Sequence, residues 1–490
     1  MKFCFEKKDF IDLENQPNKL AIIGDDFELT WSEFKKSVNT LCDFFEQNSI
    51  NHLSAPVIIY GHKSTNMMVS IYAMMKLNIT YIPVDINYPI DRISKVIKTS
   101  DCQLIINTTA NKLNIDSVSE VQLSKLSITL DSNIDTYNLG LTQADPVIYV
   151  IFTSGSTGEP KGVQISTEAV QSFGRWMSSD DFKFKPSDVF VNTALLSFDL
   201  SVFEVMTFGY LGASIILNNK TQCSDPNLLM KRIETFNGSI WVSTPSFALT
   251  YSRIENVNQM DSIHTFLFCG EILPHPLAKK LLQTYNQAKV INTYGPTEAT
   301  VATTVIEITD AILEAHNPLP VGKSKMESRL LFENDEIIIV GPNVSIGYVK
   351  NEKLNQDKFI LKNNQRAFKT GDKGFLKDGL LFFNGRNDDL VKLHGYRIEL
   401  NEITSVLDSL PYVLQAETIA LKRNDVVKKI VSLVKLEPNQ SVDKNSIKTD
   451  LAITLPNYMI PSDIKIINEF PLTQNGKIDK NLLTQLYLNR

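Results

Sequence analysis

Val147-Ile148-Tyr149-Val150-Ile151-Phe152-Thr153-Ser154-Gly155-Ser156-Thr157-Gly158-Glu159-Pro160-Lys161-Gly162 is the stretch around which the chain is organised. Its first six residues are apolar, rich in β-branched side chains and bounded by turn formers, which predicts a buried strand. The strand empties into small hydroxyl residues and glycines, followed by Lys161. Such a loop presents several N–H and O–H donors to one anion, and its glycines let the backbone approach closely. A polyphosphate fits that chemistry. The spacing is not that of a P-loop NTPase, because Pro160 stands where the second glycine is needed and Gly162 follows the lysine. On these residues alone the loop is either an anion cradle or a flexible linker.

At 490 residues the chain is too long for one core and should divide into at least two domains. Its 43% hydrophobic content is that of a globular protein. A net charge of −6 gives no basic footprint and argues against a nucleic-acid partner. The cysteines, Cys4, Cys42, Cys102, Cys223 and Cys269, include no CxxC pair. That pattern argues against a zinc site or disulfide framework and fits a reducing cytosol. The first nine residues carry charges where a signal peptide needs its apolar core. No uninterrupted apolar run is long enough to span a bilayer, so a cytoplasmic protein is expected rather than an integral membrane one.

Working outward, Thr30 with Glu33 three residues on predicts a capping box opening a helix through Phe45. Strands are expected at 56–60 and 80–84 around a methionine-rich buried helix, 67–76. Strand, helix and strand recur around 91–106, the rhythm of a parallel α/β sheet. Residues 107–146 are polar and patternless and read as a mobile connection. Alternation resumes beyond the loop, for example at 214–217 and 265–268. Short β runs follow from about 325, at 336–340, 367–369 and 380–383. A smaller α+β unit follows Gly385, with strands near 413–421 and 429–435. The expected fold is therefore α/β, a large N-terminal domain of packed α/β subdomains with a β-rich subdomain, and a small C-terminal α+β domain.

Four further landmarks carry chemistry. In Asn292-Thr293-Tyr294-Gly295-Pro296-Thr297-Glu298 a tyrosine face can stack on adenine, a threonine hydroxyl can bond a phosphate, and Glu298 can hold Mg²⁺ through oxygen. Phe368-Lys369-Thr370-Gly371-Asp372 places a carboxylate in a glycine turn, suited to accept two ribose hydroxyls. The others are Gly385-Arg386-Asn387-Asp388-Asp389-Leu390, running on to His394-Gly395-Tyr396-Arg397-Ile398-Glu399, and Pro471-Leu472-Thr473-Gln474-Asn475-Gly476-Lys477. Asn-Gly makes tight turns, which would put Lys477 at a loop tip.

Taken in order, these motifs resemble the adenylate-forming superfamily of acyl-CoA synthetases, luciferases and peptide-synthetase adenylation domains, from Tyr81-Ile82-Pro83-Val84-Asp85 to Lys477. Trp241-Val242-Ser243-Thr244-Pro245, Phe268-Cys269-Gly270-Glu271 and Leu393-His394-Gly395-Tyr396-Arg397 resemble the D-alanine–carrier protein ligases within it. The resemblance implies an ATP- and amino-acid-binding domain over 1–387 and a mobile domain over 388–490, hinged at Asp388. It implies an ATP site of Thr153, Ser154, Gly155, Ser156, Thr157, Gly158, Lys161, Asn292, Thr293, Tyr294, Gly295, Pro296, Thr297, Asp372, Arg386 and Lys477, with Glu298 for Mg²⁺ and Lys477 catalytic. Asp199, in Phe198-Asp199-Leu200-Ser201, would pair with the substrate ammonium. Leu200, Phe203, Ser243, Leu267, Cys269, Thr293, Val301 and Ala302 would complete the wall. Cys269 is equally an inert buried thiol on its own chemistry.

That wall is apolar or small, which fits D-alanine or another small neutral amino acid such as glycine or serine, since a pocket resolves one methylene by only ~1–3 kcal/mol. Phe203, where the D-alanine ligases usually carry methionine, and the following Glu204-Val205-Met206 depart from that subfamily, as does Asn78-Ile79. The implied reaction is formation of an aminoacyl adenylate with release of pyrophosphate. Transfer to the phosphopantetheine thiol of a separate carrier protein follows, serving D-alanylation of teichoic acid. The alternative is a free-standing adenylation enzyme for another small amino acid in peptide or siderophore synthesis. An acyl-CoA synthetase for an apolar acid would leave Asp199 burying a charge, and a regulatory protein without catalysis would not need Glu298, Asp372 and Lys477 together.

Overall fold

The structure is a computed structural model and describes residues 17–48, 55–123, 147–155, 159–251, 260–386, 388, 390–423, 426–471 and 478–488. The chain forms two compact units. The first comprises residues 1–86, 97–152 and 162–387; the second comprises 87–96, 153–161 and 388–490.

In the first unit a nine-stranded sheet has at its centre the parallel strands Lys289–Tyr294, Thr265–Phe268, Ile240–Ser243, Val189–Asn192, Ser214–Leu217 and Leu20–Ile23, in that order. Antiparallel strands close its edges. These core strands are short and almost continuously apolar, as strands covered on both faces must be. A second sheet runs parallel through Val147–Thr153, Tyr81–Asp85, Val57–Gly61, Leu104–Asn107 and Ser119–Gln122. The strand Ser119–Gln122 lies inside the stretch expected to be a patternless connection. Its largely polar sequence at the end of the sheet is that of an edge strand, which periodicity does not reveal. Residues 124–146 of that stretch lie outside the described residues.

The helix Trp31–Gln47 begins as its capping box requires: Thr30 Oγ1 accepts the Glu33 N–H at 3.2 Å, and the Glu33 carboxylate accepts the Thr30 N–H at 2.8 Å. The helix Thr65–Leu77 buries Met67, Met68, Met74 and Met75 almost completely, so its methionines fill core rather than face a ligand. The β-rich part pairs Glu336–Val340 with the long strand Gln365–Lys377, and that strand with Leu380–Arg386. Asp372 is therefore not in a turn after a strand; it sits within one, where the register shifts between Asp372 and Gly374. The bulge turns its side chain out of the regular alternation.

The second unit holds the hairpin Leu390–Leu393 and Tyr396–Glu399 and the three-stranded sheet Val413–Arg423, Val426–Leu436 and Asp463–Ile466. Helices Leu400–Asp408 and Lys444–Thr454 pack their apolar faces into its core, around Ile403, Leu407, Ile447 and Leu451.

Candidate active site

Within the first unit, Tyr294 closes a central strand, and its hydroxyl donates to Asp372 Oδ2 at 2.6 Å. Asp372 and Arg386 are register partners across their hairpin, and Arg386 Nη1 donates to Asp372 Oδ1. Arg386 Nη2 reaches the Thr370 carbonyl at 3.2 Å. Burial pushes the Tyr294 phenol well above its ordinary range, and the Asp372 charge adds to that. The tyrosine is therefore a neutral donor that fixes the carboxylate, and the sequence-predicted adenine and ribose residues form one hydrogen-bonded group.

Asp199 opens a single 3₁₀ turn, Asp199–Ser201, directly ahead of the helix Val202–Leu211. Its Oδ2 accepts the Thr297 hydroxyl at 2.5 Å, so Thr297 holds the carboxylate that the resemblance assigns to the ammonium. Of the proposed wall, Phe203, Ser243, Leu267, Cys269, Thr293, Val301 and Ala302 are buried. Its polar groups are committed inward: Ser243 Oγ accepts from Trp241 Nε1 at 2.7 Å and donates to Thr244 O, and Thr293 Oγ1 donates to Phe268 O at 2.8 Å. Cys269 Sγ contacts the Val301 carbonyl at 3.7 Å. The loop bearing Val301 and Ala302 is tight: Thr300 and Val301 both have left-handed φ, and a Cβ on Gly295 would meet Ala302 Cα at 2.5 Å.

Glu298 is fully buried, and its Oε1 accepts the Tyr348 hydroxyl at 2.6 Å. Tyr348 was not singled out from sequence; it lies fifty residues on, with no local motif to mark it. Asn292, counted among the nucleotide residues, uses Nδ2 to bond the Pro320 carbonyl at 2.8 Å. Among the described residues there is no cluster of three or more His, Cys, Asp or Glu that could hold a metal. A single carboxylate fits Mg²⁺ better than most divalent ions, since Mg²⁺ is usually bound by one or two carboxylates plus substrate phosphates and water.

The second unit contains the loop 153–161, of which Ser156, Thr157 and Gly158 lie outside the described residues. A Cβ on Gly155 would meet the Glu159 carbonyl oxygen at 1.9 Å, so the turn requires glycine. The Gly155 N–H donates to Glu402 Oε2 at 3.0 Å, and Lys161 Nζ pairs with Glu399 at 3.1 Å. Ser154 Oγ accepts the Glu399 N–H at 3.1 Å and donates to the Arg397 carbonyl at 2.8 Å. Glu402 also pairs with the buried Arg92 at 2.9 Å; burial pushes its carboxyl upward and the guanidinium opposes that. Two of the loop's donors, the Gly155 N–H and the Lys161 ammonium, are thus engaged by carboxylates of the loop's own unit, and the Ser154 hydroxyl by a backbone carbonyl. Asp388 accepts the Leu390 N–H at 3.4 Å, while Lys477 lies outside the described residues.

The sequence pattern of the AMP-binding enzyme family matches residues 10–349. The D-alanine--D-alanyl carrier protein ligase of Bacillus cereus (strain B4264) is 36% identical, over 96% of this chain and 97% of the relative. The ligase of the same name from Bacillus cytotoxicus is 35% identical over the same shares. Among solved structures, holo-PA1221, a protein containing adenylation and PCP domains, superposes with a TM-score of 0.83 at 22% identity, covering 98% of this chain and 84% of that one. The Vibrio cholerae adenylation domain AlmE, in complex with glycyl-adenosine-5'-phosphate, gives 0.82 at 19% identity, covering 100% and 98%. With the fold matched end to end and more than a third of its residues shared with such relatives, the chain belongs to the AMP-binding enzyme family.

Proposed function

We propose that this enzyme activates D-alanine with ATP and passes it to a carrier protein, for D-alanylation of teichoic acid. The observation that carries the reading is the Asp199–Thr297 pair, in the same unit as the proposed uncharged wall and the Tyr294–Asp372–Arg386 group. The names of relatives 35–36% identical over nearly the whole chain support it. The substrate carboxylate oxygen attacks the α-phosphorus of ATP, the bond to the bridging oxygen breaks, and pyrophosphate leaves. Asp199 holds the ammonium, so the carboxylate is presented from a fixed position. Asp372, held by Tyr294 and Arg386, receives the ribose hydroxyls. Thr153, Ser154, Gly155 and Lys161 hold the departing phosphates, and Lys477 balances the charge developing between carboxylate and α-phosphate. Glu298 would hold Mg²⁺, which neutralises phosphate charge when bound. In the second half-reaction a phosphopantetheine thiolate attacks the adenylate carbonyl, forming the thioester and releasing AMP.

Pyrophosphate exchange across D- and L-alanine, glycine, serine and a larger panel tests the reading. D-Alanine is expected to give the highest kcat/KM; a preference for a charged or bulky amino acid overturns it. The domain boundary at 387/388 and the hinge at Asp388 belong to the same proposal. Asp388→Pro fixes one backbone torsion, and it is expected to spare exchange while blocking thioester formation. Equal survival of both half-reactions would rule out the hinge.

A further inference from the structure

The helix Val202–Leu211, which carries the wall residue Phe203 and follows the Asp199 turn, is largely apolar and has one charged residue, Glu204, beside the buried Thr207. The Glu204 side chain has no exposed surface. Asn192, at the end of the adjacent strand Val189–Asn192, donates from Nδ2 to Glu204 Oε1 at 3.2 Å and is buried as completely. Two acceptor oxygens are left over, Glu204 Oε2 and Asn192 Oδ1, and neither has a hydrogen-bond donor. They belong to the two partners of one hydrogen bond. A buried acceptor without a donor costs roughly 1–3 kcal/mol. A single proton removes both deficits, because a neutral carboxylic acid and a primary amide complement each other: each offers one donor and one acceptor.

We propose that Glu204 stands as a neutral acid paired with the Asn192 carboxamide, and that this acid–amide pair seats the helix carrying Phe203 and the Asp199 turn. Glu204 is then a positioning residue of the amino-acid pocket, acting through Phe203 and Asp199. Phe203 is itself part of the proposed wall and moves with this helix; its ring meets Phe173 edge to face at 5.5 Å. The proposal rests on the adenylation reading above.

Burial pushes the Glu204 carboxyl up to about 8 and outweighs the groups that favour its charged form: its own backbone N–H, the Asn192 amide, Lys63 and the Thr193 N–H. Lys63, from the loop after Val57–Gly61, is the charged group in reach, and its ammonium donates to Thr193 O at 2.9 Å and to Cys223 Sγ at 3.3 Å. On the neighbouring helix Thr167–Met177, Glu168 pairs with Arg366 and Arg175 with Glu327. From the helix Thr65–Leu77, Tyr72 donates its hydroxyl to Val205 O at 2.6 Å. The adjoining strand Ser214–Leu217 carries no ionisable side chain. Because the fold binds this proton more tightly than the unfolded chain does, the contribution of Glu204 to stability falls as pH rises from 4.5 toward about 8.

The test compares the wild type with Glu204→Gln, which keeps an amide complementary to Asn192 but cannot ionise. The KM for amino acid and for ATP is followed by pyrophosphate exchange across pH, each protein referred to its own value at neutral pH. The wild-type KM for amino acid is expected to rise above pH 8 relative to the variant, approaching about tenfold for the next pH unit. The KM for ATP should follow the same course in both. Superimposable amino-acid profiles overturn the proposal, as does a wild-type KM that falls relative to the variant. Infrared difference spectra between the two proteins supply a readout independent of turnover: a protonated carboxyl band at neutral pH, lost in Glu204→Gln, supports the pair, and its absence refutes it. If no amino acid supports exchange at any pH, the adenylation reading has failed, and the infrared band alone then decides the acid–amide pair.

Discussion

Lys477→Ala is expected to cut amino-acid-dependent pyrophosphate exchange by about 10²–10³-fold, the loss seen when one donor to developing charge is removed. Two anions meet in the first step, the substrate carboxylate and the α-phosphate, and the transition state concentrates charge where they join. A lysine ammonium supplied there stabilises that arrangement more than it stabilises either ground state, so the loss should fall on kcat rather than on the KM for ATP. The second half-reaction has different needs, because the thiolate attacks a carbonyl already activated by AMP. The variant should therefore still form thioester from preformed aminoacyl adenylate. Lys444→Ala serves as the control: its ammonium pairs with Asp463 at 3.3 Å on an exposed face of the second unit, and exchange should match the wild type. Exchange undiminished in Lys477→Ala would remove this residue from the mechanism.

Much of the scaffold follows from local sequence, because local forces decide it. The strand Thr265–Phe268, the strand Glu336–Val340 and the Thr30 capping box lie where apolar runs and cap chemistry predict them. The strand Ser119–Gln122 does not announce itself, since an edge strand needs neither an apolar face nor periodicity. Motif residues were legible one at a time, but their partnerships were not. Thr297 meets Asp199 across 98 positions, and Tyr348 meets Glu298 across 50. Sheet topology sets such distances, and no short window of sequence contains it. Asp372 and Arg386 are an intermediate case: they face each other across one hairpin, yet a bulge decides the register. Glu204 did leave a trace, as the single charge in a helix that is otherwise largely apolar. A buried acid of that kind needs a partner, and only the structure identifies it as Asn192.

Asp199→Asn should lower kcat/KM for the amino acid by about a hundred- to several-thousand-fold, equivalent to the ~3–5 kcal/mol lost when a buried charge keeps no partner. Asparagine preserves the volume of the side chain and an oxygen for the Thr297 hydroxyl, so the turn Asp199–Ser201 should persist. What disappears is the negative charge. The rest of the proposed wall offers nothing to replace it: Ser243 and Thr293 spend their hydroxyls on the backbone and on Trp241, and the other members are apolar or thiol. Tyr149 is no substitute, since burial holds its phenol well above the ordinary range, with Tyr81 and Asp199 adding to that. A desolvated ammonium would then face a neutral pocket, and the defect should appear with every amino acid tested. A carboxylic acid of the same size without an ammonium, such as propionate, supplies the complementary measurement. It should be a very poor substrate for the wild type, because binding it leaves Asp199 uncompensated, and a relatively better one for Asp199→Asn. Loss of D-alanine activity with no relative gain for propionate would mean that Asp199 supports the turn rather than the ammonium.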